Sequence, residues 1–206
     1  MIKQILTFFS ALLLCACATT GVKQTNYRPL RTVDYFAEGK TQAAFKVTGT
    51  MDTLQMDGLM TVKKTADRVD VTLLAGGLYR VLYATVSPAK VEYLYLFKDV
   101  DNALVRARIT QLLDLLFMPP GTQVSTHTQK GETSVTYKGP RAKEVFNYDS
   151  ASDYPVTART LTTLNNADLV YGDYMPISAD GDTQVPHELV YKDGKIILDM
   201  QLISLR

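Results

Sequence analysis

Alternating apolar and polar residues run through most of the chain after residue 40. In the first such run, Phe45, Val47 and Met51 alternate with lysine and threonine. A period of two places successive side chains on opposite faces of a strand, and it is typical of antiparallel sheets with one buried face. The pattern predicts about twelve strands, over residues 45–51, 54–63, 69–74, 78–86, 90–97, 123–128, 133–138, 144–148, 156–164, 168–177, 187–192 and 195–205.

One segment in the middle of the chain follows a helical period instead. Its apolar residues recur three and four positions apart and share one helix face; they are Val105, Ile109, Leu112, Leu113 and Leu116. We predict a helix from Asp101, as N-cap, to Phe117. Pro119-Pro120-Gly121 ends it, because proline cannot continue a helix.

Short turns join nearly all of the predicted strands, and Asp193-Gly194 is the strongest hairpin signal among them. Such a meander predicts a mainly β fold, built as one large, curved antiparallel sheet or an open barrel. A single amphipathic helix is too small to cover a sheet of this size from outside. We therefore expect the helix to lie against the concave face, where the sheet encloses an apolar groove.

The first residues of the chain have the pattern of an export signal. Lys3 precedes an apolar run of 12 residues, Ile5 to Ala16. A transmembrane helix needs about 20 apolar residues, so this run is too short to span a membrane. It has the length of the apolar region of a secretory signal peptide.

The run ends in Leu14-Cys15-Ala16-Cys17, which resembles a bacterial lipobox. The resemblance implies cleavage before Cys17 and lipid attachment to it; Cys15 fits less well, because Leu14 stands where a small residue is needed. An ordinary secreted protein cut near Ala16 or Ala18 is the alternative. Ala18, rather than aspartate, follows Cys17, and by resemblance to the Gram-negative sorting rule this implies the outer membrane, with the protein facing the periplasm.

These signals divide the chain into three parts. Residues 1–16 are the signal peptide, residues 17–32 the lipidated N-terminus and tether, and residues 33–206 a single β domain. The 190 residues after the signal peptide carry 21 basic and 21 acidic side chains. This balance gives no sign of nucleic-acid binding. We expect a monomer whose partners are membrane lipid, through Cys17, and an apolar cargo.

No catalytic or metal-binding motif stands out in the chain. His127 and His187 have neither metal-ligand spacing nor a neighbouring nucleophile. The chain contains no Gly-x-Ser-x-Gly, P-loop or His-Glu-x-x-His motif. We expect no enzyme activity, no cofactor and no metal.

The lipobox, the large sheet and the inserted helix occur together with a C-terminal stretch, Val185–Tyr191 followed by Asp193–Leu198. In this combination the chain resembles the LolA/LolB superfamily of lipoprotein carriers and receptors. The resemblance implies an unclosed half-barrel of about eleven strands, with an apolar cavity that accepts acyl chains. A loop of LolB carries a leucine that enters the membrane, and Leu78 stands at the matching turn here. Leu78 can also be the first residue of a strand that packs inward.

The candidate cavity wall consists of apolar residues of the predicted inner face: Met51, Met56, Met60, Val71, Leu73, Tyr93, Tyr95, Phe97, Leu112 and Leu116. Methionine adapts its shape easily, which suits variable apolar cargo. The alternative for each residue is an ordinary filled core.

Two functions follow from these patterns. In the first, a membrane-anchored lipoprotein binds lipoprotein acyl chains or another lipid in the half-barrel, for transfer or insertion at the outer membrane. In the second, the sheet is filled by its own side chains, and the protein is a non-catalytic accessory lipoprotein of an envelope assembly.

Overall fold

A computed structural model describes residues 29–162 and 166–206, so the predicted signal peptide and Cys17 lie outside the described residues. The described part has twelve strands and one α-helix of 15 residues. They are β1 Gln42–Met51, β2 Leu54–Thr65, β3 Arg68–Ala75, β4 Tyr79–Val86, β5 Val91–Leu96, α1 Ala103–Phe117, β6 Thr122–Gln129, β7 Glu132–Lys138, β8 Lys143–Tyr148, β9 Thr157–Leu161, β10 Asn166–Pro176, β11 Gln184–Asp193 and β12 Ile196–Leu205. Within these residues, no helix is long and apolar enough to cross a membrane.

All twelve strands belong to one antiparallel sheet, in the order β5-β4-β3-β2-β1-β12-β11-β10-β9-β8-β7-β6. Strands that follow one another along the chain are neighbours, and β1 with β12 joins the two halves. β5 and β6 are the two edges and do not pair, so the sheet is unclosed. This confirms the predicted fold class, with twelve strands where the resemblance implied about eleven.

Helix α1 connects the two edges in sequence and packs on the inner face of the sheet. It contacts β4 on one side and β9 and β10 on the other. The predicted apolar stripe is buried in the same core as the inner strand residues. The helix thus covers the face whose side chains the period-two pattern marks as apolar.

The helix starts one residue later than predicted. Asn102 is the N-cap, and its side-chain Oδ1 accepts a hydrogen bond of 3.0 Å from the Val105 N–H. The predicted cap, Asp101, instead forms a bidentate pair with Arg106, with N–O distances of 2.6 and 2.8 Å. Asn and Asp are about equally good caps, so the sequence alone does not separate the two positions.

Residues 29–41 precede the sheet and close one of its ends. The Arg31 N–H donates to the Asp153 carbonyl at 2.8 Å, so ordered contacts already begin before residue 33. Tyr35 is 1% exposed and packs edge-on against Phe45 of β1, with ring centroids 5.2 Å apart. Phe117 at the end of α1 lies 6.3 Å from both rings. One aromatic cluster therefore joins this segment, β1 and the helix.

The backbone of β1 requires a glycine at position 49. Its φ is +132°, and a Cβ there would overlap the carbonyl of Ile197 on the neighbouring strand β12. Glycine allows this backbone conformation and the close approach. The β1–β12 pairing that joins the two halves of the sheet passes through this position.

The aromatic cluster should contribute strongly to stability. We expect Phe45→Ala to lower the free energy of unfolding by about 3–5 kcal/mol, because a fully buried ring leaves a cavity. Urea denaturation of a form beginning at Ala18 measures it. Ile203→Ala, at a side chain 55% exposed, is the control and should change stability by less than about 0.5 kcal/mol. Equal effects of the two substitutions would contradict the role of the cluster.

Candidate functional site: an apolar pocket at one end of the half-barrel

A pocket of about 290 Å³ opens at the end of the sheet that residues 29–41 close. Four segments form it: residues 32–36, the β2–β3 turn, Pro88 of the β4–β5 turn, and the C-terminal end of α1. Its apolar lining residues are Val33, Tyr35, Phe36, Ala66, Val69, Pro88, Leu116, Phe117, Met118 and Pro119. The charged residues that line it, Asp34, Asp67 and Arg68, are exposed, and Lys64 is half-buried.

Local hydrogen bonds and ring contacts hold the pocket wall. The Asp34 carboxylate accepts a hydrogen bond of 2.8 Å from the Phe36 N–H, which fixes a turn. The Lys64 ammonium lies 5.4 Å from the centre of the Phe36 ring, a cation–π contact. Phe36 also lies 6.3 Å from Phe117. The pocket therefore has rigid aromatic walls and a cation beside one of them.

The rest of the inner face is filled by the protein's own side chains. Seven of the ten candidate cavity residues are buried in one continuous core, with exposures of 4% or less: Met51, Met56, Met60, Val71, Leu73, Leu112 and Leu116. Tyr93 and Phe97 are partly buried against that core. Leu116 alone among the ten also lines the pocket. The structure thus brings most of the predicted set together, but as packed core beneath the helix.

Tyr95 lies on the opposite face from Tyr93. A β-bulge between Tyr83 and Ala84 pairs Tyr83 with Tyr95 and Ala84 with Tyr93. Since neighbouring strand residues point to opposite faces, Tyr95 points outward, and it is 41% exposed. Period-two counting placed both tyrosines on one face because the sequence carries no clear sign of the bulge.

Leu78 stands out at the surface. It is 84% exposed, and the adjacent Tyr79 is 72% exposed. The two residues follow Gly76 and Gly77, both in left-handed backbone conformations, at the turn before β4. Leu78 therefore does not pack inward, and the turn presents two large apolar side chains to its surroundings.

The two histidines lie apart from the pocket. His127 is exposed on β6, and the His187 Nδ1 lies 3.3 Å from the Asp173 carboxylate. Among the described residues, no group of three or more His, Cys, Asp or Glu side chains could hold a metal ion.

A buried ionic cluster lies directly behind the pocket, and sequence reasoning missed it. The Arg141 guanidinium, from the β7–β8 loop, donates through Nε to Asp114 Oδ2 of α1 at 2.7 Å and through Nη2 to Oδ1. Its Nη1 donates to the Ser87 carbonyl in the β4–β5 turn at 3.1 Å. The side chains of Asp114 and Arg141 are 5% and 23% exposed. One guanidinium therefore joins three separate segments.

Glu144 lies beside this pair on the inner face of β8. It is 3% exposed, between its register partners Tyr137 and Thr160. Burial, reinforced by repulsion from Asp114 and opposed by the charge of Arg141, raises the pKa of Glu144 to about 7. The hydrogen bonds that Arg141 donates to the Asp114 carboxylate in turn raise the pKa of Arg141. The cluster thus holds two carboxyl groups away from water beside one partly buried guanidinium.

A second buried pair anchors the other half of α1. Arg108 lies 3.4 Å from Asp193 at the end of β11, with side chains 10% and 1% exposed. The Tyr191 hydroxyl donates to the Arg108 carbonyl at 2.9 Å. In the sequence, Arg108 and Asp114 interrupt an otherwise apolar helix face, and this is the one signal that could have pointed to the two pairs. Their partners are 85 and 27 positions away, which no local pattern reveals.

Comparison with known proteins gives likeness in structure but not in sequence. No family model matches the chain, and no curated protein matches it by sequence. A structural neighbour is a crystal structure described as an outer membrane lipoprotein-sorting protein domain from Vibrio parahaemolyticus, with a TM-score of 0.48 and 10% sequence identity. The match covers 81% of this chain and 84% of that one.

Removing one partner of the Asp114–Arg141 pair should destabilise the protein strongly. We expect Arg141→Met to lower the free energy of unfolding by about 3–5 kcal/mol, because it leaves a buried carboxylate without its partner. The double variant Asp114→Leu/Arg141→Met should lose less, because no buried charge remains. Urea denaturation of the four forms of this cycle measures both effects.

The exposed pair Arg159–Asp168, with side chains 48% and 42% exposed, provides the control. Arg159→Met should change stability by at most about 1 kcal/mol. An Arg141→Met effect no larger than this would mean that burial of the pair is unimportant.

Proposed function

We propose that the protein is a membrane-anchored lipoprotein that binds one apolar chain, such as an acyl chain, in the pocket at the end of α1. The pocket carries the proposal, because its walls are largely apolar and aromatic, whereas seven of the ten candidate cavity residues on the inner face are buried in the core. Ligand pockets usually measure about 300–1,000 Å³, so 290 Å³ suits one chain rather than the several chains of a lipoprotein. Binding and transfer of such a chain require no catalytic group.

The position of the pocket supports work at a membrane. Its wall contains residues 32–36, which begin at the last residue of the predicted tether. The 15 residues from Ala18 to Thr32, the first pocket residue, span at most about 50 Å when extended. A lipid anchor on Cys17 would thus hold the pocket within that distance of the bilayer, which we propose to be the outer membrane.

A second candidate function rests on a different observation. Every residue of the edge strand β6 is exposed, and its sequence, Thr122–Gln129, contains no proline and no lysine, arginine or acidic residue. Edge strands usually carry such residues, since they prevent pairing with other chains. An unprotected edge and a filled inner face favour an accessory lipoprotein that pairs with a partner strand.

A fluorescent fatty acid distinguishes the two functions. We expect saturable binding to the form beginning at Ala18, and at least tenfold weaker binding by Met118→Glu, because it places a charge in the apolar pocket. Met118 is half-buried, so the fold should tolerate the change. The control is Met175→Glu, at a methionine 39% exposed outside the pocket lining, which should bind as the wild type does.

Absence of saturable binding by the folded wild-type protein would exclude the pocket function and favour the accessory one. Equal loss in Met118→Glu and Met175→Glu would show that binding is not at this pocket.

Leu78 should strengthen contact with a bilayer. We expect Leu78→Asp to reduce partitioning of the Ala18 form into phospholipid vesicles by about tenfold or more, because burying a leucine contributes about 1.5–3 kcal/mol. Co-sedimentation with vesicles measures it. Val124→Asp, at a side chain 57% exposed on β6, is the control and should partition as the wild type does. Unchanged partitioning of Leu78→Asp would remove this residue from the membrane contact.

A further inference from the structure

Two of the four segments that form the pocket are held by one side chain. Asp114 lies two residues before Leu116, and Ser87 immediately precedes Pro88; both Leu116 and Pro88 line the pocket. The Arg141 guanidinium bonds to the Asp114 carboxylate and to the Ser87 carbonyl at the same time. Its hydrogen bonds therefore fix the separation between the end of α1 and the β4–β5 turn.

Glu144 lies beside the loop that carries that guanidinium. Its carboxyl group lies against Gly139, where a Cβ would overlap it, and Gly139 begins the loop that carries Arg141. Asp114 from α1 and Arg141 from the loop are the charged groups that act on it. The other titratable groups that face this cluster are Tyr137 of β7, Tyr148 of β8, Tyr171 of β10 and Tyr93 of β5.

We propose that Glu144, Arg141 and Asp114 form a proton-operated latch that holds the C-terminal end of α1 closed when Glu144 is neutral and loosens it when Glu144 is ionised. When Glu144 is neutral, the Arg141 guanidinium donates its hydrogen bonds to the Asp114 carboxylate and to the Ser87 carbonyl. Once Glu144 loses its proton, two carboxylates lie close together out of water and only one guanidinium balances them. Their repulsion, and the competition for Arg141, weaken the hold on Asp114.

The direction of the pH dependence follows from the buried state of Glu144. Its pKa rises from an ordinary 4.5 to about 7 in the folded protein. The folded state therefore binds this proton more tightly than the unfolded state does, and the stabilisation is complete below pH 4.5. It is lost as the pH rises through 7, so the latch is closed in mild acid and loose in mild alkali.

Loosening should stay local, because the two halves of the helix are anchored separately. The Arg108–Asp193 pair and the Tyr191 hydroxyl hold the first half of α1. Asp114 and Arg141 hold the second half, which ends at the pocket. The idea that this loosening admits a lipid rests on the proposed function. The latch itself can be measured without any ligand.

Amide hydrogen exchange of the full chain in lipid nanodiscs tests the latch, with rates corrected for the intrinsic effect of pH. We expect protection of residues 112–118 to fall at least tenfold between pH 5.5 and pH 8.5, while residues 104–110 keep theirs. Glu144→Gln, which is neutral at both pH values, should keep residues 112–118 protected throughout. Glu188→Gln, at an exposed glutamate on β11, should behave as the wild type.

Three results would overturn the proposal: protection of 112–118 that does not depend on pH, a pH dependence that persists in Glu144→Gln, or an equal loss over both halves of α1. Arg141→Lys gives a second test should Glu144→Gln fail to fold. An ammonium group cannot hold both Asp114 oxygens and the Ser87 carbonyl in the fork geometry. Residues 112–118 should then be at least tenfold less protected than the wild type at pH 5.5, and wild-type protection there would also overturn the latch.

Discussion

The fold of the described residues depends on one constraint: a twelve-stranded apolar face must be buried by the one helix found among them. Twelve strands about 4.8 Å apart make a sheet more than 50 Å wide if flat, while the 15 residues of α1 extend about 22 Å. A flat sheet would leave most of its inner side chains in water. The sheet therefore curls until its inner residues meet one another and the helix, and residues 29–41 supply Tyr35 and Phe36 to fill the remaining end.

The same constraint explains the buried charges. A helix enclosed by a curved sheet has no side that faces water along its whole length, so its polar residues need partners inside the protein. Arg108 pairs with Asp193, and Asp114 pairs with Arg141. Apolar residues of similar volume would be no less stable in such positions. The ion pairs instead fix which part of the helix contacts which part of the sheet, because each buried charge must lie beside its oppositely charged partner.

Local patterns predicted the strands, the hairpins and the helix, because periodicity and turn chemistry depend on adjacent residues. Tyr95 was misplaced because one bulge reverses the faces of every residue beyond it. The pocket was missed because its walls come from four segments, and Phe36 lay next to what the sequence marked as tether. Glu144 was missed for a related reason: in sequence it is one polar residue at a strand start, and only the packing of α1 removes it from water.

Because the described inner face is occupied by buried side chains, the size of ligand that the proposed pocket could hold depends on how firmly its walls are fixed. In an open half-barrel, the lining residues would determine the size of the cargo. Here a ligand larger than the pocket could enter only by displacing the end of α1 or residues 32–36. The first is held by Arg141, and the second by the Tyr35 hydroxyl on the Pro186 carbonyl at 3.4 Å and by the Arg31–Asp153 backbone bond at 2.8 Å. In the proposed function, the strength of these few polar contacts, more than the shape of the apolar wall, would therefore determine how large a chain the pocket accepts.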